Sequence, residues 1–182
     1  DDKARLRIVN ATPDAGSVDV YVTAPSDPLS TAVPLQSAAA VGAVGAFSTV
    51  SAKTWRIRVT GAGDKTDLRF DVSNVALAKK QVATLVITPS AGGVLVSALL
   101  LTQEGSVVAL SGAQARVRVA APNSGTVSAS AGGVALMDGV AGPAVGDYQL
   151  GPVGNQPVTV SVGGTPLTLA KETLDPGTDT TL

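Results

Sequence analysis

The sequence predicts an all-β protein, built as two tandem antiparallel immunoglobulin-like β-sandwich domains. Three observations carry this expectation. Apolar residues recur with period two in run after run, the signature of strands with one face in a core and one in water. The 20 Gly and 11 Pro are spread along 182 residues, which disfavours long helices. A run near the start returns about 110 residues later, a repeat of domain length rather than solenoid length.

The elements follow in order. In Arg5-Leu6-Arg7-Ile8 the aliphatic residues share one face and the arginines the other. Asn10-Ala11-Thr12-Pro13-Asp14-Ala15-Gly16 then reads as a corner. Asn and Asp bond nearby backbone amides, Pro fixes one φ and Gly permits an unusual one. Val18, Val20 and Val22 alternate with Asp19 and Tyr21; Trp55, Ile57 and Val59 with Arg56 and Arg58; Leu68, Phe70 and Val72 with Arg69 and Asp71. Residues 81–103 carry no charge and are long enough to span a membrane, but Pro89-Ser90-Ala91-Gly92-Gly93 interrupts them. They read as two buried strands joined by a turn, so no membrane-spanning segment is expected. Val117 and Val119 alternate with Arg116 and Arg118, and Val158, Val160 and Val162 with Thr159 and Ser161.

The repeat sets the domain boundaries. Ala4–Asn10 matches Ala115–Ala121, Val44-Gly45-Ala46-Phe47 matches Val145-Gly146-Asp147-Tyr148, and Thr84-Leu85 matches Thr181-Leu182. The first domain is therefore expected at 1–112 and the second at 113–182. On this alignment the second copy lacks a counterpart of the segment from Val86 to Leu110. Three explanations stay open: a shortened sequence, a naturally smaller domain, or a strand supplied by another subunit. In the last case Thr178, Thr180, Thr181 and Leu182 form the expected subunit-contact edge.

Hydrophobic residues make up 45% of the chain and aromatics 3%, so the cores must be aliphatic. The formal net charge is −1, without a basic block, so nucleic acid is not an expected partner. With no His and no Cys, every Ser-His-Asp and Cys-His mechanism is excluded, as is metal ligation through those residues. No metal, no cofactor and no catalytic residue are expected. Ser51 and Lys53 would share a strand face, but a Ser-Lys dyad needs a buried lysine. Asp64 and Asp67 fall in a turn, as do Asp175-Pro176-Gly177-Thr178-Asp179. The Gly-rich segments 42–45, 92–93 and 163–164 fit no phosphate-loop spacing. Asn10, Asp14 and Asp19 offer oxygens to calcium, without the acidic density of a calcium loop. Asn10-Ala11-Thr12 fits the N-glycosylation pattern, a three-residue match within a turn.

Two features suggest contact surfaces. Arg5, Arg7, Arg56, Arg58 and Arg69 would form one ligand face for an anionic polysaccharide if their strands were neighbours. The competing reading pairs them across strands with Asp19 and Asp71, each pair worth under about 1 kcal/mol. A mean hydropathy of +0.31 and the open second copy favour self-association or contact with other envelope proteins.

The run Arg5-Leu6-Arg7-Ile8-Val9-Asn10-Ala11-Thr12-Pro13-Asp14-Ala15, followed by Val18-Asp19-Val20-Tyr21-Val22, resembles the R-x-V-N-A-S-P-D-A…V-D-V-Y-V signature of the bacterial DUF4397 family. That resemblance implies a secreted or envelope-attached β-rich domain, often in tandem. The second copy, which has Ala120-Ala121-Pro122-Asn123-Ser124-Gly125 at this place, is also similar in pattern to the periplasmic alginate acetylation accessory protein of pseudomonads. The shared features are Val127-Ser128-Ala129-Ser130, Gly146-Asp147-Tyr148 and Val162-Gly163-Gly164. Neither resemblance supplies catalytic residues. The expected function is a non-catalytic extracytoplasmic structural or interaction module, with a strand-complemented surface fibre as one form. The alternative is a carbohydrate-binding or exopolysaccharide-modification accessory module.

Overall fold

Alternating runs of this kind become stable only when each finds neighbours for its backbone and a cover for its apolar face. In the computed structural model, which describes residues 2–91 and 93–182, they do so in an all-β chain with several sheets. The chain divides into two compact units, Asp1–Gly112 and Ala113–Leu182.

The first unit holds nine strands: β1 (Lys3–Asn10), β2 (Val18–Thr23), β3 (Gln36–Ala39), β4 (Ser48–Ser51), β5 (Thr54–Gly61), β6 (Asp64–Ala76), β7 (Val82–Pro89), β8 (Val96–Thr102) and β9 (Val107–Leu110). One sheet has the order β4-β1-β7-β8-β9 and the other β3-β2-β5-β6. Leu6, Ile8 and Leu85 from the first sheet and Val20, Val59 and Phe70 from the second belong to one apolar core. The β1–β7 pair is parallel and brings Arg5 opposite Val82 and Arg7 opposite Thr84. The uncharged stretch 81–103 is the antiparallel pair β7–β8, with Leu85 opposite Leu100. Within the turn expected between them, Gly92 lies outside the described residues. Among the described residues no helix is long and apolar enough to cross a membrane.

The second unit holds β10 (Gln114–Arg118), β11 (Ala120–Ala131), β12 (Val134–Val145), β13 (Gln149–Pro152), β14 (Gly154–Gln156), β15 (Val158–Val162), β16 (Thr165–Thr168), β17 (Glu172–Leu174) and β18 (Asp179–Thr181). They form a three-stranded sheet β13-β10-β18, a four-stranded sheet β12-β11-β15-β16 and the pair β14-β17. Gly132-Gly133 and Gly163-Gly164 each have two positive φ values, as a two-residue hairpin of the I′ type requires. These glycines serve β11–β12 and β15–β16. The core is small-residue rich, with Ala115, Ala129 and Ala131 beside Val117, Met137 and Leu174.

The repeat extends to register. Leu6 faces Ser48 across β1–β4, and Val117 faces Gln149 across β10–β13. Gly45 N–H donates to Ile8 O at 2.8 Å, and Gly146 N–H to Val119 O at 2.9 Å. β18 lies parallel to β10 as β7 does to β1, pairing Arg118 with Thr181 where the first unit pairs Arg7 with Thr84. The two sheets differ at the next position. β7 is flanked on its far side by β8, whereas β18 is the sheet edge.

The polar knot after β1 is a structural corner. Asn10 is fully buried. Its Nδ2 donates to Gly16 O at 3.0 Å and to Ala39 O of β3 at 2.9 Å. Its Oδ1 accepts from Thr12 N–H at 3.1 Å and from the Thr12 hydroxyl at 2.5 Å. One amide thus joins the end of one sheet to the edge strand of the other. Asn10 Nδ2, the atom a glycan would occupy, is spent on its two bonds to Gly16 and Ala39. Asp14 is exposed. Asp19 spends its carboxylate on Ala38 N–H at 2.7 Å and Gly63 N–H at 2.9 Å. Of the three oxygens of the calcium alternative, those of Asn10 and Asp19 are thus spent on separate protein partners.

Replacing Asn10 by Ala strands several buried partners, each costing about 1–3 kcal/mol. Asn10→Ala is expected to lower the unfolding free energy by about 3 kcal/mol, and Asn10→Asp by a similar amount because it lacks the amide donors. Urea denaturation followed by tryptophan fluorescence reads this as a fall in midpoint.

An arginine–aromatic cleft as the candidate functional site

The five arginines expected on one face are divided between two sheets. Arg5 and Arg7 are on β1; Arg56, Arg58 and Arg69 are on β5 and β6 of the other sheet. The alternation is as read, but strands adjacent in composition are not adjacent in hydrogen bonding, so no single five-arginine face forms.

The second group is structural. Arg56 forms a bidentate pair with Asp71, Nε–Oδ1 at 2.7 Å and Nη2–Oδ2 at 2.5 Å. This bonding raises the Arg56 pKa. Arg58 is the register partner of Asp71, whose two oxygens bond its diagonal neighbour Arg56. Arg58 is only 3% exposed and donates from Nη2 to the Thr23 hydroxyl at 2.8 Å and Asp27 O at 2.9 Å. Burial, then the charge of Arg56, pulls its pKa below the ordinary guanidinium value. Arg69 donates to Asp67 at 2.6 Å and to Ala15 O at 2.5 Å. The competing cross-strand reading thus holds for Asp71, while Asp19 binds the backbone of Ala38 in β3 and of Gly63 between β5 and β6, and not arginine.

Arg5 and Arg7 are placed differently. Two apart on β1, they leave the same face, and both guanidinium carbons lie 4.8 Å from the centroid of the Phe47 ring. Phe47 arrives there because Gly45 bonds to Ile8 and the chain then enters β4 beside β1. Arg7 Nε donates to the Thr84 hydroxyl at 2.9 Å, which fixes that guanidinium. Among the described residues no carboxylate pairs with either arginine. They open onto a cavity of about 480 Å³ whose other walls include Val82, Thr84, Thr102 and Gln103. Two cations, an aromatic ring, hydroxyls and an amide are the groups that an anion with hydrogen-bonding groups of its own would need.

The second unit repeats the motif. Arg116 and Arg118 lie 4.7 and 4.5 Å from the centroid of Tyr148. Arg118 Nε donates to the Thr181 hydroxyl at 2.9 Å, the distance of the Arg7–Thr84 bond. Here a carboxylate enters: Asp179 Oδ2 is 3.7 Å from Arg116 Nη1.

The family model described as "Domain of unknown function (DUF4397)" matches residues 4–128. The chain belongs to the DUF4397 family. In this DUF4397 chain the match covers the Arg5–Phe47–Arg7 cleft and extends through β10 into β11. No curated protein matches. Among solved structures the chain is similar to the C-terminal domain of AlgF from P. aeruginosa, at 16% identity and a TM-score of 0.40. That similarity covers 57% of this chain and 100% of the AlgF domain.

The remaining sequence candidates do not converge. Lys53 is exposed and stacks 4.3 Å over Trp55, away from any dyad with Ser51. Asp64 accepts from Thr66 N–H at 2.8 Å and its hydroxyl at 2.6 Å, and these bonds lower its pKa. Thr178 closes the 175–179 turn on Asp175 O at 2.8 Å. On the expected contact edge, Thr178 and Leu182 bond backward to β10. By strand alternation, only Asp179 and Thr181 turn their backbone groups to the free edge. Sequence reasoning gave no role to Phe47, Thr84 or Gln103 in the DUF4397 cleft. The available signal was the repeat itself, which aligned Phe47 with Tyr148 and each Arg-x-Arg with the other.

The two arginine groups are expected to part in stability measurements. Asp71→Ala leaves two guanidiniums without their carboxylate and costs about 2–3 kcal/mol. The double change Arg5→Ala, Arg7→Ala removes only ring contacts and one hydrogen bond, about 1 kcal/mol. Chemical denaturation of both variants checks the order.

Proposed function

We propose that this DUF4397 chain is a non-catalytic extracytoplasmic accessory module, with immunoglobulin-like sandwich units, that holds an anionic polysaccharide at Arg5 and Arg7. One observation carries the reading. These two guanidiniums are the pair on the first unit that the protein orients without neutralising, and they border a cavity large enough for a sugar ring. Guanidinium forks match carboxylates bidentately, while Thr84, Thr102 and Gln103 supply the neutral donors and acceptors that sugar hydroxyls need. A non-catalytic role is supported by the lack of His and Cys. The extracytoplasmic location is what the DUF4397 resemblance implies.

A second reading, a surface-fibre subunit completed by a strand from another chain, is favoured by one feature. β18 is an edge where its counterpart β7 is paired on both sides. That edge presents two residues, one of them Asp179, and short charged edges are how proteins resist strand addition. Sedimentation of the intact chain at increasing concentration tests it: growth into end-to-end polymers favours the fibre, a single concentration-independent species rejects it.

For the polysaccharide reading, calorimetric titration with polygalacturonate is expected to show saturable binding that weakens as salt rises. Arg5→Ala and Arg7→Ala each weaken it about tenfold, the worth of one charge-assisted hydrogen bond. Lys79→Ala, which removes the same charge from an exposed pair with Asp2, leaves binding within about twofold. Equal binding by the Arg5→Ala, Arg7→Ala double variant would reject the reading.

A further inference from the structure

The two arginine–aromatic sites share their backbone register, but β8, which gives Leu101 and Thr102 to the first cavity, has no counterpart beside β18, and the residue opposite the first arginine differs. Opposite Arg5 on the parallel neighbour stands Val82, a wall of the cavity. Opposite Arg116 at the same register stands Asp179. Its carboxylate lies 3.7 Å from the Arg116 guanidinium, and both side chains are about four-fifths covered, at 22% and 18% exposed. At that distance the contact is a charge pair and not a hydrogen bond. Asp179 Oδ1 is buried with no hydrogen-bond partner among the described residues. Asp71, by contrast, spends both of its oxygens on Arg56.

We infer that Asp179 is a built-in occupant of the second cleft, and that the residue opposite the first arginine decides whether each cleft accepts a carboxylated sugar. The Asp179 carboxylate stands beside Arg116 where the carboxylate of a uronate would lie in the first cleft. It lowers the local charge from two cations to a net of one and repels an incoming anion. Val82 leaves the first cleft with both charges and an apolar wall. The chain therefore carries one open and one self-filled version of the same site. The residue type at the position of Val82 and Asp179 sets the difference in charge between them. This inference rests on the polysaccharide reading above for the chemistry of its ligand.

The test uses the full chain, labelled so that the arginine Nε–H signals are resolved by NMR, and trigalacturonate as probe. In the unaltered protein the Arg5 and Arg7 signals are expected to shift and saturate, while those of Arg116 and Arg118 stay in place. Asp179→Val, or Asp179→Asn where the larger change disturbs folding, makes Arg116 and Arg118 respond, with affinity raised at least about threefold. Val82→Asp weakens the Arg5 and Arg7 response by a similar factor. Thermal unfolding of each variant separates these effects from loss of the fold. Equal affinity of both clefts in the unaltered protein overturns the inference, as does an unmoved Arg116 in folded Asp179→Asn. A response at Arg116 in Asp179→Asn with none at Arg5 in any variant would sink the first-cleft reading and leave Asp179 as the occupant. Silence at both clefts in every folded variant rejects both.

Discussion

Each unit is organised by a parallel strand pair formed between its opening strand and a strand far along the chain: β1 with β7, and β10 with β18. Parallel pairing cannot be made by a tight turn, so everything between the partners must fold back over the core before the pair closes. The rest of each unit follows from that closure. Leu6 and Ile8 can be buried only because Leu85 and Ile87 lie beside them in the same sheet. The outward residues of the same register become the cleft. Arg7 meets Thr84, and Arg118 meets Thr181, because of this pairing and not because of anything local in either sequence.

The strands were legible in the sequence, and the way they assemble much less so. Alternation in Arg5–Ile8, Val18–Val22, Trp55–Val59 and Leu68–Val72 marks strands, and each is one, but the half-buried reading fails for β2 and for the end of β5, where Asp19, Tyr21 and Arg58 on the supposed water face are buried as well. The uncharged stretch from Gln81 to Gln103 separates into β7 and β8 because Pro and Gly break it. β3 and β4, built from Gln-Ser-Ala-Ala and Ser-Thr-Val-Ser, have almost no periodic signal, since an edge strand needs little apolar surface. Half of the arginine face was legible. Period two correctly turns all five arginines off the apolar face, but it contains no information about which sheet a strand joins. Sheet membership is decided by contacts distant in sequence. The cleft could be found only through the repeat, which places an aromatic residue and an Arg-x-Arg at matched positions in both copies.

The fate of each arginine follows from what its neighbours leave unsatisfied. Arg58 is buried, and Thr23 and the Asp27 carbonyl provide acceptors for its Nη2, while its Nε has no hydrogen-bond partner among the described residues. Arg56 holds Asp71 in two bonds, which in turn gives the nearby Arg58 a compensating charge. Arg5 and Arg7 sit at the water boundary, where no such demand exists, and a guanidinium there gains as much from lying on an aromatic ring as from an exposed ion pair. Identical residues in identical alternation therefore serve the interior on one sheet and remain available on the other.

The aromatic residues make the same point from the other side. The chain has two Phe, two Tyr and one Trp. Phe70 and Tyr21 are buried. The other three, Phe47, Trp55 and Tyr148, are half-buried, and each lies under a cation: Arg5 and Arg7, Lys53, and Arg116 and Arg118. With cores made of Val, Leu, Ile and Ala, ring packing is not what fills the interior. A half-buried ring in such a chain needs a cover, and a weakly hydrated guanidinium supplies one without sealing the surface against anions. At Trp55 a single lysine does this with no further consequence. At Phe47 and Tyr148 two arginines are aligned by strand spacing, one of each pair is fixed by a threonine, and the covering layer acquires a geometry. The same geometry recurs in both units, and the difference between Val82 and Asp179 gives the two copies different electrostatic character on the same parallel strand pairing.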